Sequence, residues 1–197
     1  MKYLALGLTL ALALPGSACA WSGTATRTAP ALPSSPQRAT EGGGMRATAI
    51  QDAQPTLELL ITVRLLAGLT GQPEFRREAR TRLALSDLLR PLTDMSALYP
   101  SEARTLNAAL QAALTPAQAQ MLTRARAALE AQVRSFMARA RFATPDGPLN
   151  LTVARYGLMV PGGPDIVRGV TDCSLPNPYH TGVNAALLER LLTALAP

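Results

Sequence analysis

The chain has 197 residues, a formal net charge of +6 and 48% apolar residues, a composition that supports a packed core and excludes global disorder. Aromatic residues make up only 4%, which disfavours a β-sandwich and favours helices built from alanine and leucine. One histidine and two cysteines are too few for a Cys/His zinc cluster. No Walker A, GxGxxG or HExxH pattern is present, so no cofactor is predicted.

The first twenty residues have the layout of a secretory signal peptide. Lys2 supplies a positive charge, residues 4–14 form an apolar run, and Ala18-Cys19-Ala20 is typical of a cleavage site. The apolar run is too short to span a bilayer. We therefore predict that residues 1–20 are a signal peptide removed before Trp21, and that the protein is exported to the periplasm or the extracellular space.

A second interpretation of the same residues is a lipoprotein signal. Gly16-Ser17-Ala18-Cys19 resembles a bacterial lipobox, in which the cysteine becomes the lipidated first residue. A lipidated Cys19 would tether the domain peripherally to a membrane, whereas cleavage after Ala20 would release it. Ordinary cleavage is the favoured prediction of the two, and it would leave Cys173 as the one thiol of the mature chain.

The rest of the chain divides by composition. Residues 21–55 are rich in Ala, Thr, Ser, Pro and Gly and bury too little apolar surface to fold, so we predict a disordered spacer. Residues 56–197 are predicted to be a mainly α-helical domain. It comprises an antiparallel helical bundle over 56–141, a long irregular Pro/Gly-rich segment over 142–182, and a C-terminal docking helix over 183–196.

Apolar periodicity predicts the individual helices. Those of the bundle are expected at 56–69, from Pro73 or Glu74 to Pro91, at about 101–114 and at about 116–141. In the last of these, Glu130 and Arg134 have the spacing of an i,i+4 ion pair. Residues 151–160 fit a short helix and an extended segment equally well. The C-terminal helix is predicted to dock through Leu187, Leu188, Leu191 and Leu192.

The string Leu114-Thr115-Pro116-Ala117-Gln118 predicts the start of a helix. Thr115 suits the N-cap, Pro116 suits the first helical position, and Gln118 can reach back to the capping residue. Together these residues predict a capping box, in which the threonine side chain accepts from a backbone N–H and the glutamine side chain does the same in return. Leu114 is expected to pack on the following turn.

The same five residues resemble the LTxxQ motif of Spy/CpxP-like periplasmic proteins, which are small exported helical proteins of the envelope stress response. They also resemble the LTPxQ motif found in a looser group of uncharacterised secreted bacterial helical proteins. The resemblance covers about residues 75–141. The first family implies chaperone-like binding of unfolded clients in a helical cradle, whereas the looser group implies no activity. A well-capped helix without any shared function is the simpler explanation of the motif.

Cys173 and His180 raise the alternative of a thiol-dependent enzyme. A nearby imidazole lowers the pKa of a cysteine thiol and so activates it as a nucleophile. The two lie seven positions apart in a proline-containing loop, but neither lies in a recognisable nucleophile motif. With Asp165 and Asp172 they offer ligand types for a divalent ion, although no spacing template supports a metal site. Ordinary loop residues are the favoured interpretation, and no catalytic or metal-binding residue is predicted.

The function that these features favour is non-enzymatic binding of partners in the cell envelope. Arg76, Arg77 and Arg80 are predicted to form a basic face of the second helix that binds unfolded or acidic envelope proteins. Export and scarce aromatics count against nucleic acid as a partner. The alternative is a structural envelope module, held at the membrane by a lipidated Cys19 through the 21–55 spacer.

Overall fold

The computed structural model describes residues 41–73, 75, 78–139 and 150–196, and these parts contain helices and no strand. The predicted mainly α-helical fold is confirmed. Seven α-helices have described bounds, and a 3₁₀ helix, Arg90–Thr93, follows the second of them. They are α1 (Glu41–Leu69), α2 (Ala79–Leu89), α3 (Pro100–Ala113), α4 (Pro116–Arg139), α5 (Leu151–Met159), α6 (Gly163–Thr171) and α7 (Gly182–Leu195).

Helix α1 forms the centre of the fold. Over residues 56–66 of this helix no residue is exposed, and consecutive residues such as Leu59, Leu60 and Ile61 are fully buried, so no side of this part of the helix faces solvent. A helix that is apolar all round must be enclosed by other elements. Accordingly, α1 packs against α3, α4, α5, α6 and α7, while α2 packs against α3 and α7.

The N-terminal boundary of the helical domain differs from the prediction. Residues 21–55 were predicted to be a spacer, but α1 begins at Glu41 and runs through Pro55. Proline disturbs only the preceding turn of a helix, where it removes one N–H donor and crowds a carbonyl. The two turns before Pro55 carry Ile50 and Ala53, which are 4% and 6% exposed, and this packing holds them helical. Residues 21–40 of the predicted spacer lie outside the described residues.

The second correction concerns the segment 142–182, which was predicted to be irregular. It contains α5 and α6, so residues 151–160 largely form a short helix, and a further helix follows that the sequence pattern does not indicate. Asn150 caps α5, because its side-chain oxygen accepts from the backbone N–H groups of Thr152 and Val153 at 3.0 and 3.2 Å. In α6, Pro164 occupies the first turn, where a missing N–H costs no hydrogen bond. Residues 142–149 lie outside the described residues.

A close contact between α5 and α6 depends on a glycine. A Cβ atom at Gly157 would lie 3.1 Å from the ring of Pro164 and 3.2 Å from its Cα atom. Because one of these neighbours is backbone, it cannot move aside cheaply. Gly162, in the turn between the helices, has a φ of 87°, a left-handed conformation that glycine adopts without steric cost.

The C-terminal helix docks as the leucine spacing predicts. In α7, Leu188 and Leu191 are at most 1% exposed, and Leu187 and Leu192 are partly buried against the same core. The most extensive contacts of α7 are with α1 and α2. Within the described ranges, no helix combines the length and the apolar character that crossing a membrane requires.

Candidate functional site

The predicted capping box is present at the start of α4. The backbone N–H of Thr115 donates to Gln118 Oε1 at 3.0 Å, and the backbone N–H of Gln118 donates to Thr115 Oγ1 at 3.3 Å. Leu114 is 9% exposed and Gln118 only 1%, so these two residues of the motif pack in the interior, whereas Pro116 and Ala117 are exposed. The geometry of the capping box accounts for the LTPxQ string by helix capping.

The predicted arginine face is only partly described. Arg80 is exposed on α2, whereas the side chains of Arg76 and Arg77 lie outside the described residues. Cys19 also lies outside them. Binding by the three arginines and lipidation of Cys19 therefore stay predictions.

The thiol of the alternative enzyme hypothesis lies on an exposed loop after α6. Cys173 and His180 are both exposed, and neither lines the grooves that the described residues form at α1 and α7, after α2, or at α4 and α5. The Asp172 carboxylate accepts from the hydroxyl and the backbone N–H of Ser174, at 2.6 and 3.0 Å, and these bonds lower its pKa. Within the described parts, no cluster of three or more His, Cys, Asp or Glu side chains is arranged to hold a metal ion. The thiol enzyme stays a hypothesis.

A polar network that was not predicted joins α1, α4 and α5. Arg126 of α4 lies between two carboxylates, with its Nη2 2.5 Å from Glu58 Oε2 and its Nε 3.2 Å from Glu130 Oε1. The Tyr156 hydroxyl of α5 donates to Glu58 Oε1 at 3.1 Å. Arg155 Nη2 lies 3.4 Å from Glu130 Oε1 and completes the network. Four charged groups and one phenol thus connect three helices.

The network is half-buried, and burial changes its proton affinities. Burial disfavours a charged guanidinium, but the carboxylates of Glu58 and Glu130 outweigh this, so the pKa of Arg126 is raised. Burial is also the main reason that the pKa of Tyr156 rises to about 12, and the nearby Glu58 carboxylate adds to the effect. Both groups therefore keep their protons throughout the physiological range.

The Tyr156 phenol predicts a loss of stability in alkali. Its pKa is about 12 in the folded protein against 10.0 for an ordinary tyrosine, so between these values the unfolded chain binds fewer protons. The free energy of unfolding must then fall as the pH rises from 10.0 towards 12. We expect Tyr156→Phe to show a shallower fall in denaturant titrations over this range. Tyr99→Phe, at a tyrosine that is 60% exposed, is the control, and equal slopes for wild type and Tyr156→Phe would contradict the assignment.

A groove between α4 and α5 opens beside this network. We call it the α4–α5 groove; it has a volume of about 510 Å³. Its lining combines two guanidinium groups and one carboxylate with apolar side chains. The lining residues are Glu130, Arg134, Met137, Leu151, Thr152 and Arg155.

Two exposed apolar side chains lie where α4 ends and α5 begins. Leu151, which lines the groove, is 61% exposed, and Phe136 in the last turns of α4 is 53% exposed. Arg134 is also exposed and has no ion-pair partner among the described residues. Apolar surface beside unpaired positive charge is the combination that binds acidic amphipathic segments of other proteins.

Comparison with known protein families, curated proteins and solved structures finds no match for this chain.

Most of the groove and the network could not be predicted from the sequence. The i,i+4 spacing pairs Glu130 with Arg134, whereas in the structure Glu130 contacts Arg126 and Arg155. Residues 58, 126 and 156 come from three helices that are distant in the sequence, and no local spacing relates them. One pair of the network does have a local signal, because Arg126 and Glu130 have i,i+4 spacing on α4 and lie 3.2 Å apart.

Proposed function

We propose that this protein is exported and binds acidic or unfolded partner proteins in the cell envelope, without catalysing a reaction. The observation that supports partner binding most directly is the α4–α5 groove, whose lining includes Arg134 and Arg155 together with Met137 and Leu151. The binding mode would be an amphipathic segment that lays apolar side chains in the groove and carboxylates against the arginines. The proposal thus keeps the predicted mode of binding but locates it on α4 and α5.

Charge supports the sign of the partner. The chain carries 19 basic and 13 acidic residues, so its overall field attracts polyanionic segments. Arg155 is itself exposed and pairs with the half-buried Glu130 at 3.4 Å; pairs open to solvent contribute about 1 kcal/mol or less, so a competing carboxylate can take over Arg155 at little cost. Arg134 has no ion-pair partner among the described residues, so a carboxylate of the partner protein can bind it without displacing another group.

The test measures suppression of client aggregation by light scattering at stoichiometric doses. Two client proteins, one acidic and one basic, are each made to aggregate by reduction of their disulfides. The light scattering of each client is compared with and without the purified chain. We expect suppression of the acidic client, and a dose about tenfold higher for the double variant Arg134→Glu/Arg155→Glu, because two favourable charge contacts become repulsive.

The control variant is Arg104→Glu/Arg124→Glu, which changes the net charge equally at two exposed arginines away from the groove. It should retain wild-type suppression. Absence of suppression by the wild-type chain would contradict the proposal, as would equal losses in the two double variants. Thermal unfolding of each variant establishes that the fold is retained.

Export is tested separately by the mass of the native N-terminus. A chain that begins at Trp21 supports signal-peptide cleavage, and an acylated Cys19 supports the lipoprotein alternative. An N-terminus that still carries residues 1–20 would contradict export by either route.

A further inference from the structure

A second groove lies between the last turns of α1 and α7. We call it the α1–α7 groove; it has a volume of about 580 Å³, within the range of small-molecule sites. None of the residues that line it is acidic. Those that give it its chemical character are Arg64, Gly68, Leu187, Arg190 and Leu191.

The half-buried Arg64 is held rigidly at one side of this groove. Its Nη1 donates to the backbone carbonyls of Leu158 and Met159 at 3.3 and 2.6 Å, which are the last carbonyls of α5. Its Nε and Nη2 groups have no acceptor among the described residues, and no carboxylate there neutralises its charge. A guanidinium fixed by neutral partners, with donors to spare, is preorganised to bind an anion.

Arg190 supplies a second positive charge from α7. It is exposed and has no ion-pair partner in the described part of the chain. The remainder of the groove is apolar or small: Leu187 and Leu191 provide side chains, and a Cβ atom built at Gly68 would meet no atom within 4 Å. The groove therefore combines an anion site with open apolar space.

We propose that the α1–α7 groove binds a long-chain carboxylate, with its headgroup between Arg64 and Arg190 and its chain along Leu187 and Leu191. Two guanidinium groups without a lining carboxylate match one carboxylate headgroup, which arginine binds in bidentate fashion. The apolar lining matches a hydrocarbon chain, whose burial adds favourable free energy for every methylene. This site is separate from the α4–α5 groove and does not rest on the proposed function.

The first experiment titrates dodecanoate, below its micelle concentration, into the full chain by calorimetry. We expect saturable binding with one site, and an affinity at least about tenfold weaker for Arg190→Glu, which places a carboxylate beside the headgroup. Arg104→Glu, an exposed arginine on α3 outside the groove, is the control of equal charge change and should bind like wild type. Arg64 is left intact because it also caps α5.

The second experiment fills the groove without changing charge. Gly68→Leu places a side chain in the open space, whereas Gly68→Ala adds a single methyl group to the same helical position. Dodecanoate affinity should fall about tenfold or more for the leucine variant and stay near wild type for the alanine variant. Equal dodecanoate affinities for the wild-type protein and both Gly68 variants would overturn the proposal.

Two further ligands separate the contribution of the carboxylate headgroup from that of the hydrocarbon chain. Acetate and dodecanol should each bind far more weakly than dodecanoate, because each lacks one half of the interaction. Acetate binding as tight as dodecanoate would mean a simple anion site and would overturn the proposal. Dodecanol binding as tight, and unaffected by Arg190→Glu, would also overturn it. Arg134→Glu/Arg155→Glu should leave dodecanoate binding intact, so this result and the client assay can fail independently.

Discussion

Leu60→Ala is expected to lower the free energy of unfolding by roughly 3–5 kcal/mol, the range for truncating an enclosed leucine. Leu60 is 0% exposed in the part of α1 that is buried on every side. Because five other helices pack around α1, no single neighbour can move in to fill the space that the lost atoms leave. The measurement is urea unfolding followed by the helical circular dichroism signal.

Leu83→Ala is the matched control for this prediction. It makes the same substitution at a leucine of α2 that is 49% exposed, where little apolar area is lost and alanine favours the helix. A change below about 1 kcal/mol is expected there. If both variants lost the same stability, α1 would not be the enclosed centre of the fold.

The second large effect is expected at Asn177, which is 2% exposed in the loop before α7. Its Nδ2 donates to the carbonyls of Leu92 and Met95 at 3.0 and 2.5 Å, and its Oδ1 accepts from the backbone N–H of Tyr179 at 2.9 Å. One side chain thus satisfies three backbone groups of two segments. Asn177→Leu has a similar size but leaves all three unpaired, and we expect a loss of about 3 kcal/mol or more.

Asn184→Leu provides the comparison. Asn184 is 0% exposed, but its Nδ2 makes one hydrogen bond, to the Pro161 carbonyl at 3.1 Å, and its Oδ1 has no partner among the described residues. Replacement leaves the Pro161 carbonyl without this donor but also removes an unsatisfied oxygen, so the loss in free energy of unfolding should be clearly smaller than for Asn177→Leu. Equal losses in urea unfolding would show that burial of the amide, and not the number of its hydrogen bonds, decides stability at these positions.

Proline content predicts only part of the segment 142–182 correctly. Prolines there predict irregular structure, and residues 172–181, which include Pro176, contain no helix, as predicted. Leu98 donates its backbone N–H to the Pro176 carbonyl at 2.8 Å and anchors this loop. Pro164, by contrast, starts a helix instead of ending one, because the first turn of a helix needs no N–H donor at that position.

The distance in sequence between contacting residues decides which parts of the candidate site could be predicted. The Thr115–Gln118 capping box closes within three residues, and its residue types alone imply both hydrogen bonds. The Glu58–Arg126 pair joins helices far apart in the sequence, and Arg126 is one of several arginines on α4 with similar local surroundings. Only the packing of α4 against α1 selects it.

Local sequence patterns by themselves determined the helical class, the start of α4 and the leucines that dock α7, because periodicity and capping act over a few neighbouring residues. Tertiary structure decided that α1 continues across Pro55, since Ile50 and Ala53 pack in the core on the N-terminal side of the proline. It also decided the polar network and the two grooves. These arise where side chains from separate helices meet, and their free energies depend on burial and charge that only the folded chain creates.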